Sequence, residues 1–162
     1  MATYPIALEV NGVSYPVIVE AHASLLHPVR DQVGLTGSKE GCDDSECGAC
    51  MMLIDGRPVN SCSYLAIQAD GSQITTVEGL TVGMDLAPLQ EAFLIEGGVQ
   101  CGFCTPGMLI SATSLLSTNP NPTDDEVRIA LSGNLCRCTG YDGILRAVMS
   151  VAGSAQTPAP RL

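Results

Sequence analysis

Hydrophobic residues in the first 20 positions follow a two-residue repeat, which is the period of a β-strand with one buried face. Ile6, Leu8 and Val10 alternate with smaller or charged residues, and the following run is rich in β-branched side chains. An Asn-Gly pair at positions 11 and 12 separates the two runs and is typical of a tight hairpin turn. The pattern therefore predicts a β-hairpin over residues 6–19.

A helical pattern follows the hairpin. Ser24 is a candidate N-cap, and Gly34 is a candidate stop signal for a helix that ends at about Val33. Pro28 would fall near the fourth helical position, where it removes the first intrahelical hydrogen bond. One face of this helix carries the residues that we expect to be buried, namely Leu25, Leu26, Val29 and Val33.

Short strand patterns return after residue 50. Residues 51–54 and 59–64 are predicted as two strands joined by an Asp-Gly turn, and the second of them carries Cys62. Residues 74–77 are a plausible closing strand. Residues 1–78 therefore predict a small mixed sheet crossed by one helix, which is the β-grasp arrangement.

From about residue 82 the hydrophobic period changes from two to 3.6, and we place a domain boundary there. The predicted first helix has Leu86, Leu89, Phe93 and Leu94 on one face, and the second has Thr105 as its cap. A capping box, Thr123 with Glu126, opens the third helix, and the fourth begins at about Tyr141. Four short helices predict a compact bundle over residues 82–153, followed by a disordered tail at 154–162.

The chain has 162 residues, a formal charge of −10 and 46% hydrophobic residues. These values indicate an acidic globular protein and make nucleic acid an unexpected partner, because phosphate binding needs clustered basic residues. Apolar runs are too short to insert into a membrane, and the N-terminus lacks an export signal. We therefore expect a cytoplasmic location, with export alongside a partner left open.

The cysteines carry the candidate chemistry. They fall into two sets of four with none left over, namely Cys42, Cys47, Cys50 and Cys62, and then Cys101, Cys104, Cys136 and Cys138. The first set has the C-x4-C-x2-C spacing of plant-type [2Fe-2S] ligands. The second set lies just before two predicted helices, whose N-termini favour an anionic iron-sulfur centre. The sequence thus predicts two [2Fe-2S] clusters and an electron relay.

Three other interpretations of the cysteines compete with the electron relay. Structural disulfides are disfavoured because no secretory signal precedes the cysteines. A zinc module with two four-cysteine sites is possible, although the Cys42–Cys47 gap and the Cys136–Cys138 pair are poor zinc-ribbon spacings. A free-standing ferredoxin that diffuses between partners has the same ligand chemistry. No nucleophile and base pair, phosphate loop or dinucleotide motif is present, so we expect no catalytic residues in this chain.

Three segments resemble the signatures of the iron-sulfur subunit of molybdenum hydroxylases, the xanthine oxidase family. They are residues 41–50 (GCDDSECGAC), 100–108 (QCGFCTPGM) and 133–141 (GNLCRCTGY). The chain is similar in particular to the separate small subunits of bacterial carbon monoxide, quinoline and nicotinate dehydrogenases and of 4-hydroxybenzoyl-CoA reductase. The resemblance implies an α+β fold, in which a plant-type ferredoxin domain precedes a helical [2Fe-2S] domain.

The resemblance also implies an order of cofactors and a set of partners. The cluster held by the second quartet would lie nearer the molybdopterin of a large subunit, and Gln100 and the backbone at Cys138 would contact that pterin. The first quartet would lie nearer FAD in a medium subunit, or nearer haem in a cytochrome. The complex would act on an N-heterocycle, an aldehyde or a similar small molecule.

Two positions depart from the family pattern. Relatives usually have Gly where this chain has Ser45, so we expect either left-handed strain at Ser45 or a rearranged loop, with its hydroxyl available to a cluster sulfur. Pro28 is also atypical. Neither position belongs to the predicted ligand set.

Overall fold

The computed structural model describes residues 2–81 and 83–154. The predicted disordered tail, apart from Ser154, lies outside these residues. Two hydrophobic clusters organise the fold, one beneath a sheet in the first half of the chain and one among helices in the second half. The boundary that we placed near residue 82 stays a prediction. Within the described residues, no helix is both long and apolar enough to span a bilayer.

Five strands form one mixed sheet in the order β2-β1-β5-β3-β4. β1 pairs antiparallel with β2 and parallel with β5, while β3 pairs antiparallel with both β4 and β5. Their bounds are Thr3–Val10 (β1), Val13–Glu20 (β2), Met51–Ile54 (β3), Arg57–Asn60 (β4) and Gln73–Thr75 (β5). The predicted hairpin is confirmed, and Asn11 adopts φ 52° and Gly12 φ 80° in its turn.

The return strand after the Asp-Gly turn is shorter than predicted. β4 ends at Asn60, so Cys62 lies in the turn that follows the strand and not within it. Ser61 to Tyr64 leave the sheet, and two of their carbonyls bond elsewhere. The carbonyl oxygens of Ser61 and Tyr64 accept from the N–H groups of Leu26 and Leu25, at 3.2 and 2.7 Å.

Those two hydrogen bonds also explain why the first helix begins later than predicted. α1 spans Leu26–Asp31 with Leu25 as its N-cap, and Ser24 makes no cap bond. Among the described residues the buried hydroxyl of Ser24 has no hydrogen-bond partner. Carbonyls from the turn beyond β4 satisfy N–H groups that a cap would otherwise bond. Pro28 is the third helical residue, where its missing N–H has no intrahelical partner to lose.

The edge of the sheet at β2 is covered by one side chain. The amide of Gln32, just after α1, accepts from the N–H of Ile18 at 3.1 Å and donates to the carbonyl of Ile18 at 2.9 Å. The Ile18 side chain itself is exposed. An amide in this position completes both backbone bonds that a further strand would make.

The second half of the described chain folds into four helices, as predicted. They are Pro88–Ile95 (α2), Thr105–Thr118 (α3), Asp124–Leu131 (α4) and Asp142–Val151 (α5). The capping box at α4 is confirmed, since Thr123 accepts from the N–H of Glu126 and the Glu126 carboxylate accepts from the N–H of Thr123 at 2.7 Å. The α+β fold class is confirmed with this arrangement.

The predicted buried face of the first bundle helix is half wrong. Leu89 and Phe93 are buried, but Leu86 lies before α2 and is 49% exposed, and Leu94 is 59% exposed. The helix starts at Pro88, so Leu86 does not share its periodicity. Leu94 turns to solvent beside Ile95, which leaves apolar surface on the outer side of α2.

Candidate metal centre

The first predicted quartet converges in the structure. The N–H of Cys47 donates to the sulfur of Cys42 at 3.4 Å, and the thiol of Cys47 also interacts with Cys62. Cys50 and Cys62 form a second thiol pair. Cys50 and Cys62 are buried, whereas Cys42 and Cys47 are partly exposed. The loop after Gly41 and the turn after β4 thus bring the four sulfurs together.

Loop 42–50 is shaped by residues with positive φ. Asp43 (φ 64°), Ser45 (φ 68°) and Gly48 (φ 70°) alternate with right-handed or extended residues, which turns the chain tightly around the sulfurs. A Cβ on Gly41 would lie 2.8 Å from the Cys47 sulfur, so only a residue without a side chain allows the backbone to come this close. At Gly48 the close neighbours are instead Gly133 and the Asn134 side chain.

The second predicted quartet also comes together, and its sulfurs come in pairs. The sulfurs of Cys101 and Cys138 are 3.5 Å apart, and the thiols of Cys104 and Cys136 contact each other. Two thiolates bound about 2.3 Å from one tetrahedral metal lie about 3.8 Å apart, so the Cys101–Cys138 separation is close to that of two ligands on one metal. In residues 2–81 and 83–154, no three His, Cys, Asp or Glu side chains converge on a single-ion site.

The second quartet lies close to the starts of two helices, as expected, but the predicted cap of α3 was wrong. Cys104 is the N-cap residue of α3, and the N–H of Met108 donates to its carbonyl at 3.0 Å. Thr105, the predicted cap, is the first helical residue, and its hydroxyl is buried without a hydrogen-bond partner in the described part of the chain. Cys136 and Cys138 lie in the loop before α5.

Burial makes the thiols poor acids where no cation is present. Desolvation raises the pKa of Cys50 to about 11 and that of Cys104 to about 12. Burial likewise raises the pKa of Cys47, and the Cys101 thiol raises that of Cys138. Thiolates bind metal, so a positively charged centre is what would stabilise these groups in their ionised form. This donor chemistry fits iron-sulfur clusters.

One sulfur in each quartet has a different environment. Burial raises the pKa of Cys62, but hydrogen bonds from Ser63, Cys50 and Ser45 lower that pKa by more, so it lies below its usual value. The pKa of Cys136 is also lowered, because hydrogen bonds involving Thr139 outweigh desolvation. In each quartet, therefore, hydrogen bonds that include a hydroxyl neighbour leave one sulfur with a lowered pKa.

The hydroxyl beside Cys136 belongs to a small network that sequence reasoning missed. The Thr139 hydroxyl lies 3.1 Å from the Cys136 sulfur and accepts from the N–H of Tyr141 at 3.2 Å. Tyr141 has φ 71°, and its hydroxyl accepts from the N–H of Cys136 at 2.8 Å. The segment CRCTGY therefore closes on itself, and the positive φ of Tyr141 is part of that turn.

The two cysteine loops touch each other directly. The N–H of Leu135 donates to the carbonyl of Cys47 at 2.9 Å, and the buried amide of Asn134 donates to the carbonyl of Gly48 at 3.1 Å. Ser111 on α3 donates to the Asn134 carbonyl oxygen at 2.6 Å. Cys47 is thus joined to the residue before Cys136 through one hydrogen bond.

The residues predicted to contact a partner lie at the surface. Gln100, Cys101 and Cys138 are exposed, and Phe103 between them in the chain is 46% exposed. The second quartet therefore has an open edge made by Cys101 and Cys138 and a buried side at Cys104. The first quartet has its buried side at Cys50 and Cys62.

Comparison with known proteins places these features in a family. Residues 76–149 match the model of the [2Fe-2S] binding domain. The chain is 50% identical to the nicotinate dehydrogenase small FeS subunit of Eubacterium barkeri, over 88% of this chain and 91% of that one. It is 53% identical to the nicotine 6-hydroxylase small subunit of Paenarthrobacter nicotinovorans, over 91% and 89%.

A solved structure agrees with these relatives. Quinoline 2-oxidoreductase from Pseudomonas putida 86 superposes with a TM-score of 0.90 at 49% identity, and the match covers 93% of both chains. High identity over nearly the full length of several small subunits, together with the same fold, settles the relationship. The chain belongs to the small iron-sulfur subunits of the molybdenum hydroxylase family.

Proposed function

We propose that this chain holds two [2Fe-2S] clusters and relays electrons, one at a time, between a molybdopterin site in a large subunit and FAD or haem in another partner. The chain is an oxidoreductase subunit without a catalytic site of its own. The observation that carries the proposal is the convergence of eight cysteines into two separate quartets of paired thiols. Bound iron would supply the electron-accepting chemistry, and the protein supplies ligands, burial and hydrogen bonds.

Each quartet has a distinct role in the proposal. Cys101, Cys104, Cys136 and Cys138 hold the cluster nearer the molybdopterin, because Cys101 and Cys138 are exposed beside Gln100 and can approach a partner's cofactor. Gln100 and the backbone at Cys138 form the contact with that pterin. Cys42, Cys47, Cys50 and Cys62 hold the cluster on the side of the second acceptor.

The contact between the two loops supports transfer from one quartet to the other. The hydrogen bond from Leu135 to the carbonyl of Cys47 joins ligand loops that are far apart in sequence. The amide of Asn134 fixes the same contact from the buried side. A short, rigid connection suits electron transfer because it holds the two centres at a constant separation.

The proposal extends to the partners and the substrate. The large subunit binds molybdopterin and oxidises an N-heterocycle, an aldehyde or a similar small molecule, and a FAD subunit or a cytochrome takes the electrons onward. The names of the relatives support this class, since they are subunits of nicotinate and nicotine enzymes. A cytoplasmic location stays a prediction.

Metal analysis and reciprocal variants test the proposal. The purified chain should contain about four iron and four sulfide ions and show two EPR signals after reduction with dithionite. Cys104→Ser should remove the signal of the helical half and keep the other, and Cys50→Ser should do the reverse. Because each variant is the control for the other, losing both signals in both variants would contradict two separate centres.

Two further results would replace the proposal with an alternative. Zinc in a colourless protein would favour a structural binding module. A coloured monomer that never copurifies with a large subunit would favour a diffusing ferredoxin.

A further inference from the structure

Two serine hydroxyls lie next to one sulfur of the first quartet. The Ser63 hydroxyl is 3.6 Å from the Cys62 sulfur, and the hydroxyl of Ser45 is in hydrogen-bond contact with that of Ser63. Ser63 directly follows Cys62 in the chain, whereas Ser45 lies in the loop between Cys42 and Cys47. The fold thus places two hydroxyls from different segments at a single ligand position.

The chemistry of a ligand sulfur fixes the direction of these hydrogen bonds. A cysteine that binds metal does so as a thiolate and has no proton to donate. The Ser63 hydroxyl must therefore donate to the Cys62 sulfur, which leaves its oxygen free to accept from Ser45. Successive hydrogen bonds polarise one another, so the second hydroxyl strengthens the first.

The backbone of Ser45 adopts a conformation that is unfavourable for a residue with a side chain. Its φ is 68°, which lies in the left-handed region. The side-chain amide of Asn60 donates to its carbonyl at 3.0 Å. A glycine at this position would remove the strain, so the hydroxyl is the feature that the serine adds.

We propose that Ser63, supported by Ser45, is a positioning residue that raises the reduction potential of the centre held by Cys42, Cys47, Cys50 and Cys62. The inference rests on the proposed function. Reduction adds one electron and no proton, so the total negative charge on the centre and its four thiolates increases by one. A hydroxyl that donates to a ligand sulfur stabilises that added charge, and this favours the reduced form.

The second quartet supplies a comparison within the same molecule. The Thr139 hydroxyl lies 3.1 Å from the Cys136 sulfur and is oriented by the N–H of Tyr141. Each hydroxyl should act on its own centre only. Ser63 and Thr139 variants should therefore move different potentials.

The test is an EPR-monitored redox titration of the intact complex, with dithionite as reductant and ferricyanide as oxidant. Ser63→Ala should shift the reduction equilibrium of the first centre about tenfold towards the oxidised form, which is about 59 mV for one electron. Ser63 is exposed, so water can partly replace the lost hydroxyl and a much larger shift is not expected. Ser63→Thr keeps the hydroxyl and should stay within about threefold of the wild type.

Ser45→Gly separates the hydroxyl from backbone strain. It should lower the same potential while leaving thermal stability equal to or above that of the wild type, because the glycine relieves the positive φ. Thr139→Val is the matched control and should move only the second potential. Equal shifts of both centres in Ser63→Ala, or a change below about threefold, would overturn the proposal.

Failure of the proposed function gives a different result. A chain with a single iron-sulfur centre, measured by iron and sulfide analysis before titration, would refute the two-cluster relay. Two centres whose potentials are both unmoved by Ser63→Ala would refute only the role of the hydroxyl pair.

Discussion

Replacing Asn134 by Ala should release the contact between the two cysteine loops. The Asn134 side chain is 2% exposed and makes two buried hydrogen bonds, one to the carbonyl of Gly48 and one from the hydroxyl of Ser111. In the alanine variant the Gly48 carbonyl loses this donor but still accepts from the N–H of Met51 at 3.2 Å. The Ser111 hydroxyl can still donate to the Met51 sulfur, which lies 2.8 Å away.

The expected cost follows from these contacts. Losing a hydrogen bond whose acceptor keeps a second donor costs about 0.5–1.5 kcal/mol, and the volume of the missing amide adds a cavity penalty. We therefore expect Asn134→Ala to lower the free energy of unfolding by roughly 1–3 kcal/mol. With a urea slope of about 2 kcal/mol per M, the midpoint of unfolding should fall by about 0.5–1.5 M.

Urea unfolding of the purified chain measures this change. Far-UV circular dichroism reports the helices, and visible absorbance reports the iron-sulfur centres. Both should be lost at lower urea, because Asn134 and Gly48 lie within two residues of Cys136 and Cys47 in the chain. Asn121→Ala, at an exposed asparagine, is the matched control. A midpoint within about 0.3 M of the wild type would refute the role given to Asn134.

Three further predictions concern single positions. Gly48→Ala should lower the melting temperature far more than Gly56→Ala. Both glycines have positive φ, but only a Cβ at position 48 would clash, since it would lie 2.3 Å from the carbonyl oxygen of Gly133. Equal losses in the two variants would show that backbone strain alone matters. Thr123→Ala should cost about 1 kcal/mol in thermal unfolding by removing the cap of α4, with both EPR signals kept. Hydrogen bonds from the backbone and hydroxyl of Thr123 lower the pKa of Glu126 from 4.5. The ionised Glu126 carboxylate should therefore stabilise the fold above pH 4.5, and this stabilisation should vanish as the pH falls through the lower folded pKa. An NMR titration of Glu126 should show its pKa moving part of the way back in Thr123→Val, and an unchanged pKa would contradict the capping box.

Local signals were enough to predict the parts of the fold that depend on neighbouring residues. The Asn-Gly turn, the capping box at Thr123 and the start of α5 at about Tyr141 are each encoded within a few positions, and the structure shows all three. The division of the cysteines into two quartets also followed from spacing. The structure brings the members of each set together, although their ligand roles stay a prediction.

Contacts between distant segments account for the errors. Ser24 looked like a cap, but backbone carbonyls some 40 residues away in sequence take that role at Leu25 and Leu26. Leu94 fits an apolar repeat, and only the packing of α2 decides that it faces solvent. A hydrophobic period identifies an apolar surface but not what covers it.

The polar residues around the sulfurs were the hardest to foresee. Ser63, Thr139 and Asn134 belong to no periodic pattern, and each gains its role from a partner that the fold delivers. Ser45 is the exception. Of the two outcomes expected there, the structure shows the left-handed backbone, and the Ser45 hydroxyl contacts that of Ser63, a second serine that the sequence did not single out.

The side chain of Gln32 has a consequence for how this subunit survives before it joins a complex. An open sheet edge next to an exposed isoleucine would invite another copy to add a strand, and repeated addition leads to aggregates. The carboxamide fills that place with a mimic of one peptide unit. Gln32→Ala should therefore leave electron transfer intact and make the unassembled subunit prone to self-association.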